Sequence, residues 1–129
     1  MTDPVFLDFD HIEEIHEASL QAYGGTAGIR DKGLIESAIG SAMNTFHYAN
    51  GDLSDIAASY AFHLAQAQAF LDGNKRTGIG AALLFLKANG VLRVPADEQL
   101  YDAMIAIAEK RLDKAGLAEL FRRAAVELS

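Results

Sequence analysis

The densest group of chemistry-bearing side chains in this sequence is the run Gln68-Ala69-Phe70-Leu71-Asp72-Gly73-Asn74-Lys75-Arg76-Thr77. A glycine in such a run permits a tight turn and lets a ligand approach the backbone closely. Asn74, Lys75, Arg76 and Thr77 read as the opening turn of a helix. The first N–H groups of a helix lack internal partners, and its dipole favours an anion there. Lys75 and Arg76 add two positive charges at the same place. Backbone donors and cations together make a phosphate-binding arrangement. Asp72 contributes a hard carboxylate, and magnesium takes one or two of these together with substrate phosphates. The spacing does not meet the pattern G-x-x-x-x-G-K-[ST], so a P-loop is excluded. A Gly-Asn pair is also common in plain loops, and basic residues often line a solvated face. Local physics leaves both readings open.

Little else in the chain competes as a chemical centre. There are no cysteines, which rules out disulfides and thiolate metal sites and fits a reducing compartment. His11, His16, His47 and His63 include no pair at the i, i+4 spacing of a helical zinc site. His63 precedes Gln68 by one and a half helical turns and reads as a packed histidine with a satisfied hydrogen bond. The other three read as surface or core residues without chemistry. Tyr23, Tyr48, Tyr60 and Tyr101 read as core or rim residues, and Arg30-Asp31 as a pair that fixes a loop.

The elements that must position the run are helical. Phe9, Ile12, Ile15, Ser19 and Ala22 recur at helical spacing from about Phe9 to Tyr23, with Asp8 or Asp10 as cap and Gly24-Gly25 as stop. A glycine-rich loop follows to Arg30. A second helix starts near Asp31 and carries Leu34, Ile35, Ala38 and Ile39 inward, and Thr45–Asp52 reads as a connection. A third runs from Asp52 to about Phe70, its many alanines predicting close helix–helix approach. A fourth runs from about Lys75 to Ala88 and closes at Asn89-Gly90. Val91–Pro95 reads as extended, one small strand at most. Helices over Asp97–Glu109 and Asp113–Leu128 complete the chain. The expectation is an all-α single domain over residues 1–129, a compact bundle of about six helices with minimal or no strand.

Bulk properties bound the function. The chain has 129 residues and 50% hydrophobic content, which is enough for one globular core. No stretch approaches the ~18 apolar residues of a membrane span, and the N-terminus lacks the basic region of a signal peptide. The formal net charge of −7 argues against general nucleic-acid binding. A local basic cluster can still bind a nucleotide.

Phe70-Leu71-Asp72-Gly73-Asn74-Lys75-Arg76-Thr77 resembles the death-on-curing (Doc) version of the Fic motif, H-x-F-x-[D/E]-[A/G]-N-K-R-T. Tyr23-Gly24-Gly25 through Gly28-Ile29-Arg30-Asp31, with Leu34, Glu36 and Ser37, is similar to the family's N-terminal signature. Ala82-Leu83-Leu84-Phe85-Leu86 and Asn89-Gly90 also look like it. The resemblance spans about residues 9–95. It implies a Fic fold and a cytoplasmic, Doc-like toxin of a toxin–antitoxin system. Such a protein uses ATP with magnesium to transfer a phosphoryl or nucleotidyl group to a hydroxyl of a protein of the translation machinery. It also implies an antitoxin whose disordered tail folds as a helix on the domain. A homo-oligomer remains open.

Carried over by residue, the catalytic set is Gln68, Asp72 and Lys75, with Asp72 placing the metal. Gly73, Asn74, Lys75, Arg76 and Thr77 form the nucleotide-binding set, and Phe70 anchors the motif. The departure is Gln68, which stands where the family has a histidine acting as general base. The family often shows Asn-His-Pro-Phe where this chain reads Ala67-Gln68-Ala69-Phe70. Three neighbouring differences read as natural divergence rather than a single designed change. A carboxamide cannot take a proton near neutral pH. The expectation is therefore a weakened transferase, the alternative being an impaired pseudoenzyme that binds a nucleotide or a protein.

Overall fold

The computed structural model describes residues 3–126. It contains six helices: α1 (Phe9–Tyr23), α2 (Lys32–His47), α3 (Leu53–Ala67), α4 (Asn74–Ala88), α5 (Asp97–Ala108) and α6 (Lys114–Val126). The fold is all-α, as the periodicity predicts.

α3 is the axis of the bundle. Alanine and serine fill much of it, so its neighbours come close on several sides, and Ile56, Ala57, Ala58, Ser59, Tyr60, Ala61 and Leu64 are all buried. α2, α4 and α6 pack around it, and α1 packs on α4. α3 and α4 approach closely at Gly78, where an added Cβ would lie 2.7 Å from the Ala61 carbonyl oxygen. Two glycine-or-alanine surfaces thus set the distance between the helices that flank the chemistry-bearing run.

The remaining helices are tied on by polar contacts of definite geometry. Asp52 caps α3 through the Asp55 amide at 2.9 Å. Arg122 of α6 reaches the same corner and pairs with Asp52, Asp55 and Glu119. The Arg122 guanidinium is the main cause that brings the Asp52 carboxyl down to about 2. The segment before α1 is pinned by Tyr60, whose hydroxyl accepts from the Leu7 amide at 2.9 Å. Burial pushes that phenol up to about 12.

Two helix ends differ clearly from the sequence expectation. α2 continues through Thr45, Phe46 and His47, because Thr45 Oγ1 satisfies itself on the Ser41 carbonyl within the helix instead of breaking it. α3 stops at Ala67 rather than Phe70, because Gln68 turns left-handed at φ 56°. Val91–Pro95 adopts no regular secondary structure and forms no strand. Instead, among the described residues, the one isolated bridge joins Ile29 to Phe70. The expected end of α6 at Leu128 lies outside the described residues.

Candidate active site

Residues 68–73 form a loop between α3 and α4, residues 74–77 open α4, and three other parts of the chain hold the loop. Asn74 acts first. Its Oδ1 accepts from the Phe70 amide at 3.0 Å and its Nδ2 donates to the Phe70 carbonyl at 3.0 Å. The glycine-rich loop acts second. The Arg30 amide donates to the Ala69 carbonyl at 2.7 Å, and the Leu71 amide donates to the Gly28 carbonyl at 3.1 Å. α1 acts third. His16 stacks on Phe70 with ring centroids 3.8 Å apart, and its Nε2 lies 2.7 Å from the Asp72 carbonyl oxygen. A carbonyl only accepts, so Nε2 carries the proton and donates.

Asp72 is the joint of this assembly. Its Oδ2 accepts from the Thr26 amide at 3.1 Å and its Oδ1 from the Gly73 amide at 2.8 Å. These two amides, and then the charges of Arg76 and His16, hold its carboxyl below the usual carboxylate range. Asp72 is therefore ionised at neutral pH. It is exposed, so it offers a charged hard oxygen to solvent.

Gly73, left-handed at φ 77°, launches α4 without a side-chain cap. The first helical bond runs from the Thr77 amide to the Gly73 carbonyl at 2.9 Å. The amides of Asn74, Lys75 and Arg76 thus have no partner within the helix. Above them lies a cavity of about 390 Å³ whose wall includes Gln68, Asp72, Gly73, Lys75 and Arg76. Among the described residues, neither Lys75 nor Arg76 forms an ion pair. Orphan amides, two cations without an ion pair among the described residues and one carboxylate belong to residues that border one space. That arrangement can bind a polyphosphate with a divalent cation, because donors, charge and helix dipole act in the same direction.

The expected residues do not all reach the cavity in the expected way. Gln68, Asp72, Lys75 and Arg76 border it. Phe70 is 1% exposed beneath it and stacked on His16, the place of an anchor. Asn74 also borders the cavity, but its carboxamide is spent on Phe70, which leaves its backbone amide for a ligand. Gly73 donates its amide to Asp72 rather than to the cavity. Thr77 stands apart from the rest of the expected nucleotide-binding set. It is fully buried, its hydroxyl has no partner, and it is no part of the cavity wall. On an α4 whose first turn faces the cavity, position 77 has rotated onto the buried face. Replacing Thr77 with valine is expected to raise stability by about 1 kcal/mol, since a buried unpaired hydroxyl is lost. Nucleotide affinity is expected to stay unchanged; chemical denaturation and calorimetry read the two effects.

His63 sits elsewhere. Its Nε2 is 3.1 Å from Lys114 Nζ, and burial, then the Lys114 charge, lowers its pKa. It is a packed histidine that accepts from a lysine. Asp31 caps α2 through the Gly33 amide at 2.9 Å, and the Arg30 amide pairs with Ala69, so this pair does fix a loop. Three residues that sequence reasoning passed over touch the site: His16, Thr26 and Tyr101. His16 had a discoverable signal, since it is the one histidine on the buried stripe of α1, beside Ile12. Thr26 contributes only a backbone amide, which no side-chain pattern reports.

These features agree with comparisons to known proteins. The chain matches the Fic/DOC family over residues 6–86. It is 34% identical over 110 residues to the protein kinase doc of Escherichia phage P1, covering 84% of this chain and 86% of that protein. It is also 34% identical over 111 residues to the toxin Doc of Mycolicibacterium smegmatis, covering 82% of this chain and 85% of that protein. The chain belongs to the Fic/DOC family. Its matched segment contains α1 to α3, the glycine-rich loop, residues 68–77 and most of α4.

Proposed function

We propose that this chain is a Doc-like toxin of a toxin–antitoxin pair. It binds ATP with magnesium in the cavity at the head of α4. It transfers a phosphoryl group, or a nucleotidyl group, to a hydroxyl of a protein of the translation machinery. The carrying observation is the convergence of Asp72, Lys75, Arg76 and the orphan α4 amides on one cavity. The names of its two relatives, one a kinase and one a toxin, point the same way.

In this reading the α4 amides, Lys75 and Arg76 bind the phosphates and hold the reacting phosphorus in place. Asp72 fits magnesium by donor chemistry, being an exposed, ionised oxygen donor. Among the described residues no cluster of three acidic or histidine side chains surrounds it, so substrate phosphates would supply the other ligands. Bound there, magnesium supplies neutralisation of phosphate charge. Phosphoryl transfer tends to pass through a loose transition state, so positioning and charge stabilisation dominate. The target hydroxyl oxygen forms its bond to phosphorus as a phosphoanhydride P–O bond breaks, ADP leaving in phosphoryl transfer and pyrophosphate in nucleotidyl transfer. Its proton goes to solvent, because Gln68 can orient a hydroxyl but cannot keep the proton. Partners in this reading are the target and an antitoxin with a disordered tail that folds as a helix. The site of action is the cytoplasm; no helix among the described residues is long and apolar enough to cross a membrane.

The second reading is a catalytically impaired nucleotide- or protein-binding module. The orientation of Gln68 favours it, because its carboxamide donates back to the Ala65 carbonyl at 3.2 Å. One experiment separates the two. The chain is incubated with a translating lysate and ATP labelled at either the γ- or the α-phosphate. The first reading expects a labelled protein, with the label position naming the transferred group, and loss of most label for Asp72→Asn. No labelled protein at any enzyme concentration, together with calorimetric binding of magnesium ATP, would leave only the second reading.

A further inference from the structure

Arg76 is held from two sides by residues remote from it in sequence. Its guanidinium carbon lies 4.6 Å from the centroid of the Tyr23 ring. Its Nε donates to the Tyr101 hydroxyl at 3.4 Å. Tyr23 is the last residue of α1 and Tyr101 lies in the first half of α5. The rings are 65% and 40% exposed, so neither is there to fill the core. Two exposed aromatic side chains from different helices converge on one cation that makes no ion pair among the described residues.

The geometry of a guanidinium gives this convergence a consequence. Stacking on a ring sets the plane of the group, and the Nε bond sets its rotation within that plane. What remains are the two terminal nitrogens, which carry four of the five N–H donors in a fork matched to phosphate oxygens. Arg76 and Tyr101 both form part of the cavity wall above α4. An arginine fixed in this way loses less rotamer freedom when it binds an anion than a free one does.

We propose that Tyr23 and Tyr101 are positioning residues that hold Arg76 as a preset, two-pronged receptor for a phosphate group in the cavity. This rests on the anion-site reading of that cavity given above. Tyr101 supplies the acceptor for Nε and Tyr23 supplies the stacking face. The site therefore depends on α1 and α5 as well as on the loop and α4.

The test titrates the full chain with inorganic tripolyphosphate, which carries phosphate charge but no base or sugar. Parent, Tyr101→Phe, Tyr23→Leu, Tyr23→Phe and Arg76→Lys proteins are compared. Tyr101→Phe and Tyr23→Leu are each expected to weaken binding by about 2–5-fold, the scale of one exposed cation–ring or comparable polar contact. Tyr23→Phe keeps the ring face and is expected to bind like the parent. Arg76→Lys keeps the charge but loses the fork, and is expected to lose at least as much as either tyrosine variant. A second readout needs no ligand: exchange of the Arg76 Nε proton, followed by NMR, is expected to accelerate in Tyr101→Phe. Unchanged affinity in both Tyr101→Phe and Tyr23→Leu would overturn the clamp and leave the anion site standing. A parent chain that does not bind tripolyphosphate would overturn the site itself, and the clamp as a binding device with it.

Discussion

The Gln68→His protein is expected to label its target about 10²–10⁴-fold faster than the parent, the usual worth of a positioned general base. Position 68 can take the change. Its backbone is left-handed at φ 56°, and histidine is among the non-glycine residues enriched in that region. The side chain is exposed, so stability is expected to move by no more than about 0.5 kcal/mol. The pH profile gives the sharper signature. An imidazole acts as a base only when neutral, so the variant's rate should climb as pH rises through roughly 6.5, while the parent's rate lacks that step. In cells, the variant is expected to arrest growth at expression levels the parent tolerates. A parent already as fast as the variant would mean that transfer here does not need a base at position 68. Positioning and charge would then carry the reaction, as a loose transition state allows.

The same position shows where sequence reasoning succeeds and where it stops. The identity of Gln68 announces the missing base, because proton affinity is a property of the side chain alone. Its conformation is not announced. Ala67, Gln68, Ala69 and Phe70 continue the composition of α3, and helix propensity by itself runs the helix on to Phe70. The helix ends at Ala67 because the loop after it is captured from outside, by Asn74, the glycine-rich loop and His16. Each of those captors lies in a different part of the chain, His16 being 56 residues from Asp72.

Long amphipathic elements behave differently. α1 has the bounds its periodicity predicts, Phe9–Tyr23, because an aspartate cap, a buried stripe and two glycines are all local signals. Val91–Pro95 has strand-like residues, but a strand needs a neighbour, and neighbours are a tertiary fact. The bridge forms instead between Ile29, whose local pattern reads as loop, and Phe70, whose local pattern reads as the end of a helix. The candidate site follows the same division. Lys75, Arg76 and Asp72 are legible from charge and spacing. That Thr77 turns inward, and that Asn74 spends its carboxamide on Phe70, follow from how α4 rotates against α3.

Asn74→Ala is expected to be the most damaging single change in the run, and to act through the loop rather than through a lost phosphate contact. The Asn74 side chain is the hydrogen-bond partner of both the amide and the carbonyl of Phe70, each at 3.0 Å, in a buried setting. Alanine leaves two buried backbone groups unpaired, at about 1–3 kcal/mol each. A total of about 2–6 kcal/mol is a large part of the 5–15 kcal/mol that ordinarily holds a domain together. Phe70 would lose the bonds that fix it over His16, and the Asp72 carbonyl would lose its fixed relation to His16 Nε2 in turn. Nucleotide affinity is therefore expected to fall even though the backbone amide of residue 74 remains. Asn74→Asp separates the contributions, because it keeps an acceptor for the Phe70 amide and loses the donor to the Phe70 carbonyl. It also places a negative charge at the head of α4, where the helix dipole welcomes it but an incoming phosphate does not. Urea denaturation should rank the parent above both variants. Tripolyphosphate titration on the folded fraction should show binding lost in both. An Asn74→Ala protein with the parent's stability and weaker binding would reverse the assignment and make the carboxamide itself a ligand.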